Sequence, residues 1–73
     1  MLEKRSLRLS GHRTSVALEP EFWAALEHLA AARGCSLGAL IAAADAARPP
    51  ERPLASALRV LALRETVTAV GGP

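Results

Sequence analysis

A chain of 73 residues forms at most one domain, so we treat residues 1–73 as a single domain. Hydrophobic residues make up 51% of it, but most are alanine and leucine, which leaves a lone core marginal against the entropy cost of folding. The single cysteine, Cys35, excludes an internal disulfide and multi-thiolate zinc sites. A partner subunit is therefore the expected source of additional stability.

The apolar segments are too short for a membrane or a secretion signal. The longest one, residues 37–44, is interrupted by Gly38 and falls far below the ~20 residues that cross a bilayer. Residues 1–15 lack the apolar core of a signal peptide. We expect a cytoplasmic protein with a reduced cysteine and no membrane contact.

The formal charge of +2 is distributed unevenly along the chain. Residues 1–18 hold four basic groups against one acidic group, a balance of +3, whereas residues 19–73 hold five against six, a balance of −1. We interpret residues 4–12 as a basic N-terminal arm. Such an arm is typical of nucleic-acid binding, although a solvated arm without a partner has the same composition.

Alternating residues predict one strand before the first helix. Over residues 13–18, one face carries Arg13, Ser15 and Ala17, and the other carries Thr14, Val16 and Leu18. Leu7 and Leu9 alternate in the same way, and Gly11-His12 is expected to bend the chain between the two segments. Only residues 14–18 are predicted to be a secure strand. Since a single strand cannot form a sheet, it is expected to pair with a second copy of the chain.

The first predicted helix runs from Pro20 to about Arg33. Proline fits the first helical position, and Gly34 fits a left-handed C-cap. Helical spacing predicts a buried face of four residues with Trp23 beside it: Phe22, Leu26, Leu29 and Ala30.

Two further helices follow. Ser36 is a plausible N-cap for a helix to about Arg48, which Pro49-Pro50 ends. Asp45 on this helix is expected to pair with Arg48 or Arg59, or to cap a neighbouring helix. The third helix spans 53–65, and residues 66–73 are predicted to be a flexible tail.

The order basic strand, helix, helix resembles the ribbon-helix-helix fold, and individual motifs extend the resemblance. The run Gly11-His12-Arg13-Thr14-Ser15, followed by Leu18-Glu19 and Phe22-Trp23, is similar to a small bacterial ribbon-helix-helix family of the type GHRTS…LE…FW. The similarity covers about residues 4–65. It implies a mainly α fold with a core at residues 13–48 and an extra C-terminal helix. That helix could cover the dimer core, cross to the other subunit or build a tetramer.

The resemblance implies a homodimer whose paired strands insert into the DNA major groove as an intersubunit ribbon. The strand residues expected to contact bases are Arg13, Ser15 and Ala17. At position 17 relatives tend to carry a polar or basic group, so alanine departs from the family pattern and offers only an apolar contact. Phosphate contacts are expected from Lys4, Arg5, Arg8, His12, Ser36 and Leu37, the last two through the backbone N–H groups at a helix start.

The function implied is a sequence-specific DNA-binding protein, namely a transcriptional regulator or a related partition-type or antitoxin-type factor. The alternative is a protein-interaction or assembly module on the same dimeric fold without strong DNA readout, and a further protein partner stays open under both. No catalytic arrangement is recognisable, and His12, His28 and Cys35 lack metal-ligand spacing. We therefore expect neither an enzyme, a metal site nor a cofactor.

Overall fold

The structure is a computed structural model that describes residues 1–71, with side chains described through residue 66. Two strands come first, β1 (Glu3–Leu9) and β2 (His12–Leu18). Three helices follow, α1 (Pro20–Arg33), α2 (Leu37–Ala47) and α3 (Leu54–Gly71). This order agrees with the mainly helical ribbon-helix-helix class predicted from the sequence.

The N-terminal segment differs from the sequence prediction because it is a strand rather than an arm. Ser10 and Gly11 both have left-handed backbone angles, with φ of 51° and 81°, and they form a two-residue turn that matches the twist of the flanking strands. β1 and β2 pair antiparallel in a register running from Leu9 opposite His12 to Glu3 opposite Leu18. The expectation that the predicted strand lacks a partner within its own chain was therefore wrong.

Helix α1 has the predicted bounds. Pro20 occupies its first turn, and Gly34 closes it with a φ of 69°. The Cys35 N–H then donates to the carbonyl of Ala30 at 3.0 Å, which satisfies a group left free at the helix end. Its most buried residues are Trp23, Leu26 and Ala30. Phe22 and Leu29, which were predicted to be buried, are only half-buried. The buried face of the helix is therefore rotated toward Trp23 relative to the prediction.

The start of α2 is capped as predicted. The Ser36 hydroxyl accepts a hydrogen bond from the Ala39 N–H at 3.0 Å. Asp45 pairs with Arg48 at 2.8 Å, one of the alternatives that the sequence left open. Helix α3 continues past the predicted end at Glu65 to Gly71, so residues 66–71 of the predicted tail are helical. Residues 72 and 73 lie outside the described part of the chain.

A single chain contains a formed hydrophobic core beneath the inner face of the hairpin. Four leucine and isoleucine side chains on four different elements are fully buried, namely Leu18, Leu26, Ile41 and Leu58. Burying a side chain of this size stabilises the fold by about 1.5–3 kcal/mol. Helix α2 packs against β1, and α3 packs against β2 and the other two helices. The extra helix thus covers the core of its own chain.

An ion pair joins α3 to the residue that precedes α1. Arg59 donates to the Glu19 carboxylate at 3.0 Å and lies over the Phe22 ring, 5.8 Å from its centroid. A hydrogen bond from the backbone N–H of Glu19 itself and, second, the Arg59 guanidinium hold the pKa of the Glu19 carboxyl below its usual value of 4.5. The ionised carboxylate is therefore the form that the fold favours.

Within the described residues, none of the individual helices has the length and apolar character needed to cross a membrane. Helices α1 and α2 meet these criteria only when taken as one pair, which is bent by 99°.

Candidate nucleic-acid interface

The outer face of the hairpin carries three basic side chains and two serines. Residues directly opposite in an antiparallel pair point to the same face, so the register defines this face through three pairs. These are Lys4 with Ala17, Ser6 with Ser15, and Arg8 with Arg13. All are exposed except Ala17, which is half-buried. We call this set the outer face.

Carboxylates are missing from the outer face. Glu3, the acidic residue of the two strands, lies in register with Leu18 and so belongs to the inner face. Among the described residues, no salt bridge involves Lys4, Arg8 or Arg13. Arg8 and Arg13 are direct cross-strand neighbours, an arrangement of like charges that destabilises a sheet. A bound polyanion would offset this repulsion.

Arg5 does not belong to the outer face. Its guanidinium donates to Glu3 at 2.6 Å and to Glu27 on α1 at 3.2 Å, and it lies 4.6 Å from the centroid of the Trp23 ring. The hydrogen bond to Glu3 and, second in importance, the one to Glu27 raise the pKa of this guanidinium. Because these contacts occupy the guanidinium, Arg5 fastens the hairpin to α1. It was predicted to contact phosphate, but it lies apart from the outer face.

The indole of Trp23 strengthens the same junction. Its Nε1–H donates to the backbone carbonyl of Glu3 at 2.7 Å while the ring itself is buried. This bond satisfies the polar atom of a buried aromatic side chain. The hairpin is thus held to α1 at its open end, which fixes the orientation of the outer face.

The remaining predicted contacts lie away from the outer face. His12 is exposed beside the turn, but its register with Leu9 assigns it to the inner side of the hairpin. The Ser36 hydroxyl is occupied in capping α2, and the Leu37 side chain is half-buried against the core. The N–H groups of residues 37 and 38 start the helix, where intrahelical acceptors are lacking.

Sequence reasoning missed Ser6. It lies opposite Ser15 at the centre of the outer face, whereas the sequence analysis assigned it to an arm. The signal was present, because Lys4, Ser6 and Arg8 alternate with the same period as Arg13, Ser15 and Ala17. What the alternation could not show was that the two segments pair.

Potential metal ligands do not cluster among the described residues. The part of the chain that the structure describes has no group of three histidine, cysteine or acidic side chains close enough to hold a metal ion. Cys35 is exposed and has a free thiol.

Comparison with known proteins gives a family and a solved relative. A family model described as "Ribbon-helix-helix domain" matches residues 2–66. An uncharacterized protein from Bordetella pertussis Tohama I has a similar structure, with a TM-score of 0.82 and 36% sequence identity over 99% of this chain. The present chain spans 61% of the length of that protein. Curated protein sequences gave no match.

Proposed function

The chain belongs to the ribbon-helix-helix domain family, and from this premise we propose that it is a homodimeric, sequence-specific DNA-binding protein that regulates transcription. The observation that carries the proposal is the outer face of the hairpin. It presents Lys4, Arg8 and Arg13 around two serines, without a carboxylate, on the side opposite the core. Cations with small polar donors are the groups that contact phosphates and base edges.

The dimensions of the hairpin suit the major groove. Adjacent strands lie about 4.8 Å apart. The groove is about 12 Å wide and admits a two-stranded ribbon. Any two adjacent strands make such a ribbon, and the free edge of β2 allows two copies to supply one strand each.

The free edge of β2 supports pairing with a second copy. In a hairpin closed by a two-residue turn, the residues flanking the turn form a hydrogen-bonded pair, and such pairs recur at every second residue. The backbone groups of Arg13, Ser15 and Ala17 therefore point away from β1. None of the described backbone hydrogen bonds outside the strands and helices involves them. This edge is the one we propose for the dimer.

A two-fold axis at Ser15 gives the most favourable register. It places Arg13 opposite Ala17 of the second copy, whereas centring on Arg13 would place two arginines opposite each other. Base readout does not explain why position 17 carries a small side chain. In this register, Ala17 is the cross-strand neighbour of Arg13 of the second copy. In this arrangement the two β2 strands are central and the two β1 strands lie outside.

The four-stranded sheet divides the outer face by role. The central strands offer Arg13, Ser15 and Ala17 to base edges. The β1 strands lie three strand spacings apart, about 14 Å. This separation brings Lys4 and Arg8 to the rims of a groove about 12 Å wide. The N–H groups that start α2, at Leu37 beside the Ser36 cap, are proposed as a further phosphate contact.

Binding-site selection from random duplex DNA by the full chain, at about 0.15 M salt, tests the proposal. We expect an enriched sequence whose affinity falls with salt, with a log–log slope of about −3.6 for Lys4 and Arg8 from both copies. Lys4→Ala should weaken all duplexes alike. Arg64→Ala removes an exposed arginine outside the hairpin and is the matched control, expected to leave affinity unchanged. A folded protein that enriches no sequence and shows no salt-dependent binding would refute the proposal.

A further inference from the structure

A groove between α2 and α3 is separate from the hairpin. It has a volume of about 510 Å³, comparable to that of ligand-binding pockets in proteins. None of its lining residues belongs to β1 or β2. Its occupant would therefore leave the outer face of the hairpin accessible.

Each helix contributes one continuous stripe to the groove. On α2 the stripe is Leu40, Ala43, Ala44 and Ala47, and on α3 it is Ala57, Val60, Leu61 and Arg64. Both stripes have the spacing i, i+3, i+4, i+7, which is two turns or about 10 Å of helix. Four of the eight side chains are alanines, and small side chains leave holes between ridges that a third helix can fill with larger residues.

Arginines stand at both ends of the groove. The short connection 48–53 places Arg48 and Arg52 at the end where α2 leads into α3. Arg64, seven residues after Ala57, lines the other end together with Arg33. Arg33 pairs with Glu65 and Arg48 with Asp45. For Arg52 and Arg64, no described residue provides a salt-bridge carboxylate.

The exposed large hydrophobic side chains of the described residues give a second copy no apolar stripe for the groove. Among the described residues, the large hydrophobic side chains that are exposed are Met1, Leu2 and Leu63. These three residues do not make up one helical stripe, because Met1 and Leu2 precede β1 and Leu63 lies on α3. An amphiphile with one anionic head would use the cations at one end only. The stripe length and the two cationic ends together fit a helix with acidic residues at both ends.

We propose that the α2–α3 groove binds an acidic amphipathic helix of another protein. Its apolar stripe packs onto the alanine-lined floor, and carboxylates at its two ends pair with Arg52 and Arg64. This is the helix-in-groove mode of recognition, in which apolar residues at i, i+3 or i+4, and i+7 act as anchors. The proposal is independent of DNA binding, because the two surfaces share no residue.

A displayed library of helical peptides about 15 residues long is the probe. Positions i, i+3, i+4 and i+7 vary among apolar residues, and the others vary among Asp, Glu, Lys, Arg and Ser. Selection is carried out against the full chain, and recovered peptides are measured by fluorescence anisotropy. We expect peptides with Asp or Glu at both ends of an apolar stripe.

The exposed alanines of α2 provide matched variants. Ala43→Glu places a carboxylate in the groove and should weaken the recovered peptides at least about tenfold through like-charge repulsion. Ala46→Glu adds the same charge outside the groove and should change affinity by no more than about twofold. Arg52→Gln and Arg64→Gln should each weaken binding by up to about fivefold, and they disturb no described ion pair.

Three results would overturn the proposal. One is recovery of no peptide, or of basic or neutral ones only. Another is binding that Ala43→Glu and the two arginine variants leave unchanged. The third is a lower oligomeric state of Ala43→Glu in sedimentation, which would assign the groove to a second copy. DNA affinity of the same variants, expected to be unchanged, separates failure here from failure of the proposed DNA binding.

Discussion

Replacing Arg13 with alanine should weaken DNA binding and at the same time stabilise the free protein. The Arg13 side chain is exposed, and none of the described hydrogen bonds or salt bridges uses it. It lies directly opposite Arg8 on the same face of the hairpin. Its removal therefore relieves a like-charge contact in the folded state and leaves the core untouched.

The expected gain in stability and the expected loss of sequence preference each have a defined magnitude. A cross-strand charge pair changes stability by about 0.2–1 kcal/mol, so the gain should not exceed about 1 kcal/mol. For a domain of this size that corresponds to a rise in Tm of up to about 8 °C. A bidentate arginine–guanine contact supplies about 1–3 kcal/mol of discrimination between bases. Its loss should lower the preference for the selected sequence by about fivefold to 150-fold.

Stability is measured by urea unfolding of both proteins, followed by the fluorescence of Trp23. Trp23 is the one tryptophan of the chain and is 1% exposed, so its emission reports on the core. DNA binding is measured by anisotropy with the selected duplex and with a duplex in which the contacted guanine is replaced. Lys4→Ala serves as the comparison, because its loss should be equal for the two duplexes.

Two outcomes would refute this reasoning. If Arg13→Ala lost more than about 1 kcal/mol of stability, Arg13 would be part of the packing and the outer face would not be a free surface. If the loss of affinity were the same for both duplexes, Arg13 would contact phosphate only, and base readout would have to come from other residues.

Three further predictions test the core, the ion pair and the dimer. Leu18→Ala should cost about 2–5 kcal/mol in urea unfolding because this side chain is fully buried; a smaller loss would mean that the core rearranges around the site. The lowered pKa of Glu19 means that its carboxylate stabilises the fold above pH 4.5 and that this contribution disappears as the pH falls from 4.5 through the lower folded-state pKa. The Tm of wild type should therefore approach that of Glu19→Gln on acidification. If the difference in Tm between the two proteins were the same at every pH, the stabilising role of the Glu19 carboxylate would be contradicted. In a Cys35→Ser background, Ser15→Cys should form disulfide-linked dimers, whereas Ser6→Cys, whose copies would lie about 14 Å apart, should not. Equal cross-linking of both variants would exclude the register centred on Ser15.

The ends of the first two helices could be predicted because their signals are local. Pro20, Gly34 and Ser36 act on backbone groups within one turn of their own positions, through a fixed φ, a left-handed φ and a hydroxyl acceptor. The predicted end of α3 at Glu65 had no comparable signal beside it, because the next glycine of the sequence is Gly71. Thr66 bonds back to the carbonyl of Ala62 at 2.9 Å, and the helix continues beyond the predicted boundary.

The candidate site was predicted in part. The face shared by Arg13, Ser15 and Ala17 follows from alternation alone, since side chains of a strand alternate between two faces. The same pattern was present in residues 3–9, but the basic composition favoured an arm over a strand. Charge counting also placed Arg5 with the other cations, although the two carboxylates that bind it lie on opposite sides of the hairpin–α1 junction.

The sequence by itself determined the family, the helix starts and which residues share a face of each element, because these depend on residues close together in the chain. Tertiary structure alone decided which segment pairs with β2, how far Arg5 is removed from the outer face and where α3 packs. Each of these depends on contacts between distant positions, such as Arg5 with Glu27 and Glu19 with Arg59. A periodic pattern shows which side of a strand or helix is apolar, but any apolar surface of suitable shape can cover that side, so only the folded chain selects the partner.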